Sequence, residues 1–100
     1  MFKNSFRYTL LKQATEALKA NEITKEQYRA IRIACWRPNL LREIENRVIE
    51  DARASGLYAD LLAAGVTDID WDALAEFIRE ILEMILEFIL SLMLKEKENG

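Results

Sequence analysis

Any chemistry in this chain must come from carboxylates, guanidinium groups, indole rings and one thiol, because none of its 100 residues is a histidine. That absence removes the commonest general base and the commonest metal ligand. Among what remains, the most suggestive set lies around residues 25–37. Lys25, Arg29, Arg32 and Trp36 recur at three- and four-residue spacing, which places them on one face of a helix, and Arg37 follows at its end. Guanidinium groups meet phosphates and an indole stacks on an exposed base, so these five residues are the candidate nucleic-acid surface. A plainer use has Trp36 lying over the aliphatic stem of Arg32 one turn earlier, as a cation–π and packing contact at a helix edge. A helix-turn-helix would put Arg42 and Arg47 on the recognition helix, but Glu43, Glu45, Glu50 and Asp51 share that segment and repel a phosphate backbone.

The other reactive residue types point away from catalysis. Cys35 sits among Ile31, Ile33 and Ala34, the setting of a buried, inert thiol rather than a nucleophile. Glu76, Glu80, Glu83 and Glu87 follow each other at helical spacing, yet the carboxylate-bridged bundles pair such glutamates with a Glu-x-x-His motif that is missing here. Asp68 and Asp70 resemble the opening of a calcium loop without the glycine and the closing glutamate that the loop requires. The sequence therefore predicts no enzyme, no catalytic residue, no metal and no cofactor.

The elements that must carry these residues are all helical. Ser5 or Asn4 caps a first helix from about Phe6 to Ala20, with Phe6, Leu10, Ala14, Ala17 and Leu18 on its apolar face and Asn21 as the stop. Thr24 and Gln27 form a capping box, with Ile23 and Tyr28 in staple positions, so a second helix runs from Lys25 to about Trp36, where Pro38 ends it. A third begins near Pro38 or Asn39 and continues to Ser55 before Gly56, with Leu41, Ile44, Val48 and Ala52 inward. Glu43 with Arg47 and Glu50 with Arg53 are its expected ion pairs. Leu57 to Ala64 reads as a short fourth helix closed by Gly65, and Asp70 caps a long fifth helix over about 71–94, with Ile69 and Leu74 in staple positions. The fold class is all-α: one domain over 1–94, a bundle of about five helices, and a charged, disordered tail at 95–100.

The long fifth helix decides the functional expectation. Its charge is confined to a stripe of Asp72, Glu76, Arg79, Glu80, Glu83 and Glu87, and Leu90 and Leu94 close that stripe near its end. One apolar seam runs through Trp71, Leu74, Ile78, Ile81, Ile85, Phe88 and Leu92. A second passes through Ala75, Leu82, Leu86, Ile89 and Met93, with Arg79 interrupting it. Such a helix is about 36 Å long whereas the second reaches about 18 Å, so its far end is expected to overhang the domain. The expected function is that of a small soluble helical module that self-associates as a dimer or tetramer, in an antiparallel or four-helix arrangement, acting as a structural or adaptor protein. Its interface would be Ile78, Ile81, Ile85, Phe88, Ile89, Leu92 and Met93.

Two alternatives remain: a nucleic-acid-associated regulator working through Lys25, Arg29, Arg32, Trp36 and Arg37, and a membrane-associated factor working through the C-terminal helix. The acidic stripe disfavours the second, since interfacial helices carry Lys and Arg toward anionic lipid, and Arg79, Glu80, Glu83 and Glu87 disfavour a span. No export signal is visible, and a single cysteine fits a reducing compartment, so the expected location is cytoplasmic. The charge is uneven. Residues 1–50 hold ten Lys or Arg against six Asp or Glu, and residues 51–100 hold four against eleven. Attraction between a basic front and an acidic back is the simplest use of that asymmetry.

Overall fold

The computed structural model describes residues 5–56 and 69–99, and among them five helices and no strand. They are α1 (Phe6–Lys19), α2 (Lys25–Cys35), α3 (Pro38–Ser55), α4 (Ala75–Glu80) and α5 (Leu82–Asn99). The all-α bundle is the fold that the periodicity predicts. The short helix expected over Leu57 to Ala64, and the Asp68 half of the calcium-like pair, lie outside the described residues.

Local chemistry sets the ends of the first three helices. The Ser5 hydroxyl accepts the Tyr8 N–H at 3.2 Å. Asn21, at φ 60°, closes α1 in the left-handed conformation: its N–H donates to Leu18 O, and the Glu22 N–H reaches back to Ala17 O. Those two bonds satisfy carbonyls that a helix end would otherwise leave open. At Thr24 both halves of the capping box form, the Gln27 N–H to Thr24 Oγ1 at 3.1 Å and the Thr24 N–H to Gln27 Oε1 at 2.8 Å. Pro38 occupies the first turn of α3, and Gly56, at φ 71°, takes the left-handed position after its last residue.

The core is built from one face of each helix. Leu10, Ile31, Ile44, Val48, Ile78 and Ile89 are fully enclosed, and Phe6 meets Trp71 with ring centroids 4.7 Å apart. In α3, Ile44, Val48 and Ala52 point inward as expected, Leu41 is only partly covered, and Leu40 and Ile49 are buried beside them. Arg47 turns toward Asp51, at 3.4 Å, rather than toward Glu43, and lies over the ring of Phe88.

The expected continuous helix over 71–94 does not form. Trp71–Leu74 is a tight turn in which the Ala73, Leu74 and Ala75 N–H groups bond three residues back, and Asp70 caps that turn through Ala73 N instead of capping a long helix. The helix then begins at Ala75, leaves α geometry at Ile81 (φ −99°, ψ 13°), and restarts at Leu82. Neither glycine nor proline stands at the break. Its effect is to let α4 pack on α1 while α5 packs on α2 and α3. The backbone helix continues to Asn99, beyond the expected end at Leu94.

This arrangement changes the account of the apolar seams. Ile78, Ile85 and Ile89 are buried within the single chain, and Ile81, Phe88, Leu92 and Met93 are partly buried against the same core. α3, with 18 residues, equals α5 in length, and both α2 and α3 pack on α5. What stays outside is smaller: Leu90 is 49% exposed and Leu94 62%. Among the described residues no helix is long and apolar enough to cross a membrane.

Candidate functional site

The inner face of α2 is apolar, with Ile31, Ala34 and Cys35 buried, so the helical period turns Lys25, Arg29, Arg32 and Trp36 outward. On this face lies a concavity of about 650 Å³, lined by Leu18 at the end of α1 and by Lys25, Tyr28, Arg29, Arg32, Ile33, Trp36 and Arg37. All five sequence candidates thus border one groove, joined by three residues that the sequence reading had not assigned to it: Leu18, Tyr28 and Ile33.

The aromatic rings of the groove are held by specific contacts. The Thr15 hydroxyl donates to Leu11 O at 2.8 Å and stands 3.1 Å from the Tyr28 hydroxyl. With the threonine proton committed, Tyr28 is the donor in that second bond. The guanidinium carbon of Arg32 lies 6.0 Å from the centroid of Tyr28. Trp36 is backed by Arg7, not by Arg32 as the spacing suggested. The Arg7 guanidinium carbon is 5.1 Å from the ring centroid, while Arg7 Nε donates to Cys35 O at 2.9 Å. The backbone bond fixes the cation and the cation supports the ring. Trp36 nonetheless stays 65% exposed.

Among the described residues that line the groove every charge is positive, and no described carboxylate forms an ion pair with Lys25, Arg29 or Arg32. From residue 5 to residue 37 the chain carries seven Lys or Arg against three Glu, and two of those glutamates are turned elsewhere. Glu22 Oε2 and Glu16 Oε2 stand 2.6 Å and 3.5 Å from Arg79 of α4. The basic front is thus joined to the acidic back by a pair of inverted sign, a carboxylate from the basic half meeting a cation from the acidic half. Glu26 is the one acid of the hairpin that Arg79 does not engage.

The remaining candidates are placed as follows. Cys35 is buried, and that burial pushes its thiol up to about 11, opposed only in part by the charge of Arg7. A thiol so raised is a poor nucleophile at neutral pH. Glu80 and Glu83 border a smaller concavity with Glu22 and Arg79, and among the described residues no group of three or more His, Cys, Asp or Glu is arranged to hold a metal ion. Arg42 and Arg47 are not part of the groove. Elsewhere on the surface, Glu87, Leu90, Ser91, Leu94 and Lys95 form an outward strip on α5.

Arg7 could not have been assigned to the site from spacing, because its partner is on another helix. Leu18 and Tyr28 left a fainter signal, a large apolar residue at the end of α1 and an aromatic one turn into α2, flanking a short connection. Comparison with protein-family models, with curated proteins and with solved structures finds no match to this chain.

Proposed function

We propose that this chain is a non-enzymatic binding module that captures a polyanion in the groove lined by α2 and the end of α1. The observation that carries this reading is the convergence of Lys25, Arg29, Arg32 and Arg37 with Trp36 on one open concavity, where no described lining residue is a carboxylate. A one-signed groove with low-dielectric walls concentrates field and draws in counter-charge, even on a chain whose net charge is −3. The chain has no histidine and its one thiol is buried, so the groove offers neither of those groups for catalysis.

The test is salt-dependent binding of labelled oligonucleotides, with heparin as a sequence-free competitor. Three or four phosphate contacts give a slope of log K against log salt of about −2 to −3.5. The double variant Arg29→Ala with Arg32→Ala is expected to flatten that slope by about 1.5 to 2 and to weaken binding of every polyanion. No binding of any polyanion at 20 mM salt would overturn the proposal.

Self-association is the second reading, supported by the exposed Leu90 and Leu94 on α5. Glu83 and Glu87 precede these leucines and Lys95 follows them, so an antiparallel copy sets unlike charges together where a parallel one stacks glutamates. The surface left exposed is narrow, and it supports a weak dimer rather than an obligate one. Light scattering on a concentration series, with Leu90→Gln and Leu94→Gln combined as the control, distinguishes that dimer from a monomer.

A further inference from the structure

We infer that the polyanion this groove takes is a single-stranded nucleic acid, with Lys25, Arg29 and Arg32 following its backbone and the open face of Trp36 stacking on one of its bases. The inference rests on the reading of the groove as a polyanion site and adds the class of polyanion.

Trp36 carries the argument. A cationic patch that read phosphates alone would need no indole, and an indole left 65% in water at the end of a helix is a poor use of so large an apolar group. The ring is also held in place. Arg7 lies against it and is fixed in turn by its bond to Cys35 O, and Arg7 does not line the groove whereas Trp36 does. Trp36 thus borders the groove with a cation held against it and most of its surface still open. A ring held in this way offers a stacking platform at little cost in side-chain entropy.

The apolar wall points the same way. Ile33 is exposed beside Trp36, and Leu18 and Tyr28 continue the surface toward Lys25. A duplex presents phosphates outward and keeps its bases stacked inside, so an indole and an isoleucine would find little to contact on it. A single strand exposes both backbone charge and base faces, the two chemistries that alternate along this groove. From Lys25 to Arg37 the span is about 18 Å along α2, long enough for several consecutive nucleotides and far longer than one phosphate needs.

The experiment uses the full chain with a labelled twelve-nucleotide thymidine strand, a twelve-base-pair duplex and heparin, read by anisotropy and by tryptophan emission. Trp71 is buried, so its emission serves as a constant background. The expected result is single-strand binding at least tenfold tighter than duplex binding, with quenching of the exposed tryptophan. Trp36→Ala should weaken single-strand binding about 5- to 150-fold, the range of one lost stack, and change duplex and heparin binding less than twofold. Arg7→Ala, which frees the ring without removing it, should weaken single-strand binding by a smaller factor that Trp36→Ala then masks. Equal affinity for strand and duplex, or an unchanged Trp36→Ala variant, would overturn this inference while leaving the groove a polyanion site. Failure of all three probes to bind would overturn both.

Discussion

Arg79 Nη2 stands 2.6 Å from Glu22 Oε2, and this contact joins residues 57 apart in the sequence across the face where α4 meets the α1–α2 connection. The same guanidinium reaches Gln13 and Glu16 at longer range. It ties the second half of the chain to the first and, by occupying two of the hairpin's three glutamates, leaves the groove's cations to set the potential there.

The pair makes stability depend on acid pH. The hydrogen bond from Arg79 holds the Glu22 carboxyl below its ordinary value of 4.5, opposed by desolvation and helped to a lesser degree by the Arg79 charge. A carboxyl lowered on folding contributes its full stabilisation above the unfolded-state value and loses it as pH falls through the folded value. The urea midpoint of the parent should therefore exceed that of Glu22→Gln at pH 7, and the two should converge on acidification below about pH 4. A constant gap down to pH 2.5 would show that the ionised pair is not the source.

Burial sorts the apolar residues of α5 into two classes. Ile89→Ala removes a fully enclosed side chain and should cost about 2–5 kcal/mol in urea unfolding. The neighbouring change Leu90→Gln should stay within about 0.5 kcal/mol, since it replaces an exposed side chain with a residue of similar helix propensity. Equal losses at the two positions would mean that the outward strip is covered.

The local signals were the most legible part of the sequence. Thr24 with Gln27, Pro38, Gly56 and Asn21 each mark a helix end through a requirement of their own backbone, and each lies where the sequence places it. The ownership of the apolar seams was not legible. Periodicity says that Ile78, Ile85 and Ile89 must be covered, but the covering helix is chosen by a break at Ile81 that no proline or glycine announces. For the groove, the spacing of Lys25, Arg29, Arg32 and Trp36 was enough to place them on one face. The contact between Arg7 and Trp36 depends on the register of two helices, which spacing within one helix cannot give.

Two positions test the left-handed backbone directly. A Cβ added at Gly56 meets nothing within 4 Å, so Gly56→Ala isolates the cost of φ 71°, about 1 kcal/mol in thermal or urea unfolding. Asn21→Gly relieves the same conformation and should raise stability slightly, whereas Asn21→Val should lower it by more than about 1 kcal/mol.

The thiol offers a further check. With Cys35 pushed up to about 11 from an ordinary value of 9.0, the thiolate fraction at pH 8 is about 100-fold lower than in the unfolded chain, and burial slows access again. Alkylation by iodoacetamide should be at least that much slower in native buffer than in 8 M urea. A native rate near the unfolded one would place Cys35 at the surface.

The interruption at Ile81 also bears on how this chain tolerates change in length. In an unbroken helix, one added residue turns everything after it by about 100°, enough to carry buried leucines to the outside. The break between α4 and α5 does not relax that constraint, because Leu74, Ile78, Leu82, Ile85 and Ile89 stay buried at helical spacing across it and the Ile81 N–H still bonds to Phe77 O. An insertion beside Ile81 would therefore put the inward faces of α4 and α5 out of step, as the same edit in the middle of α5 would rotate Ile89 out of the core.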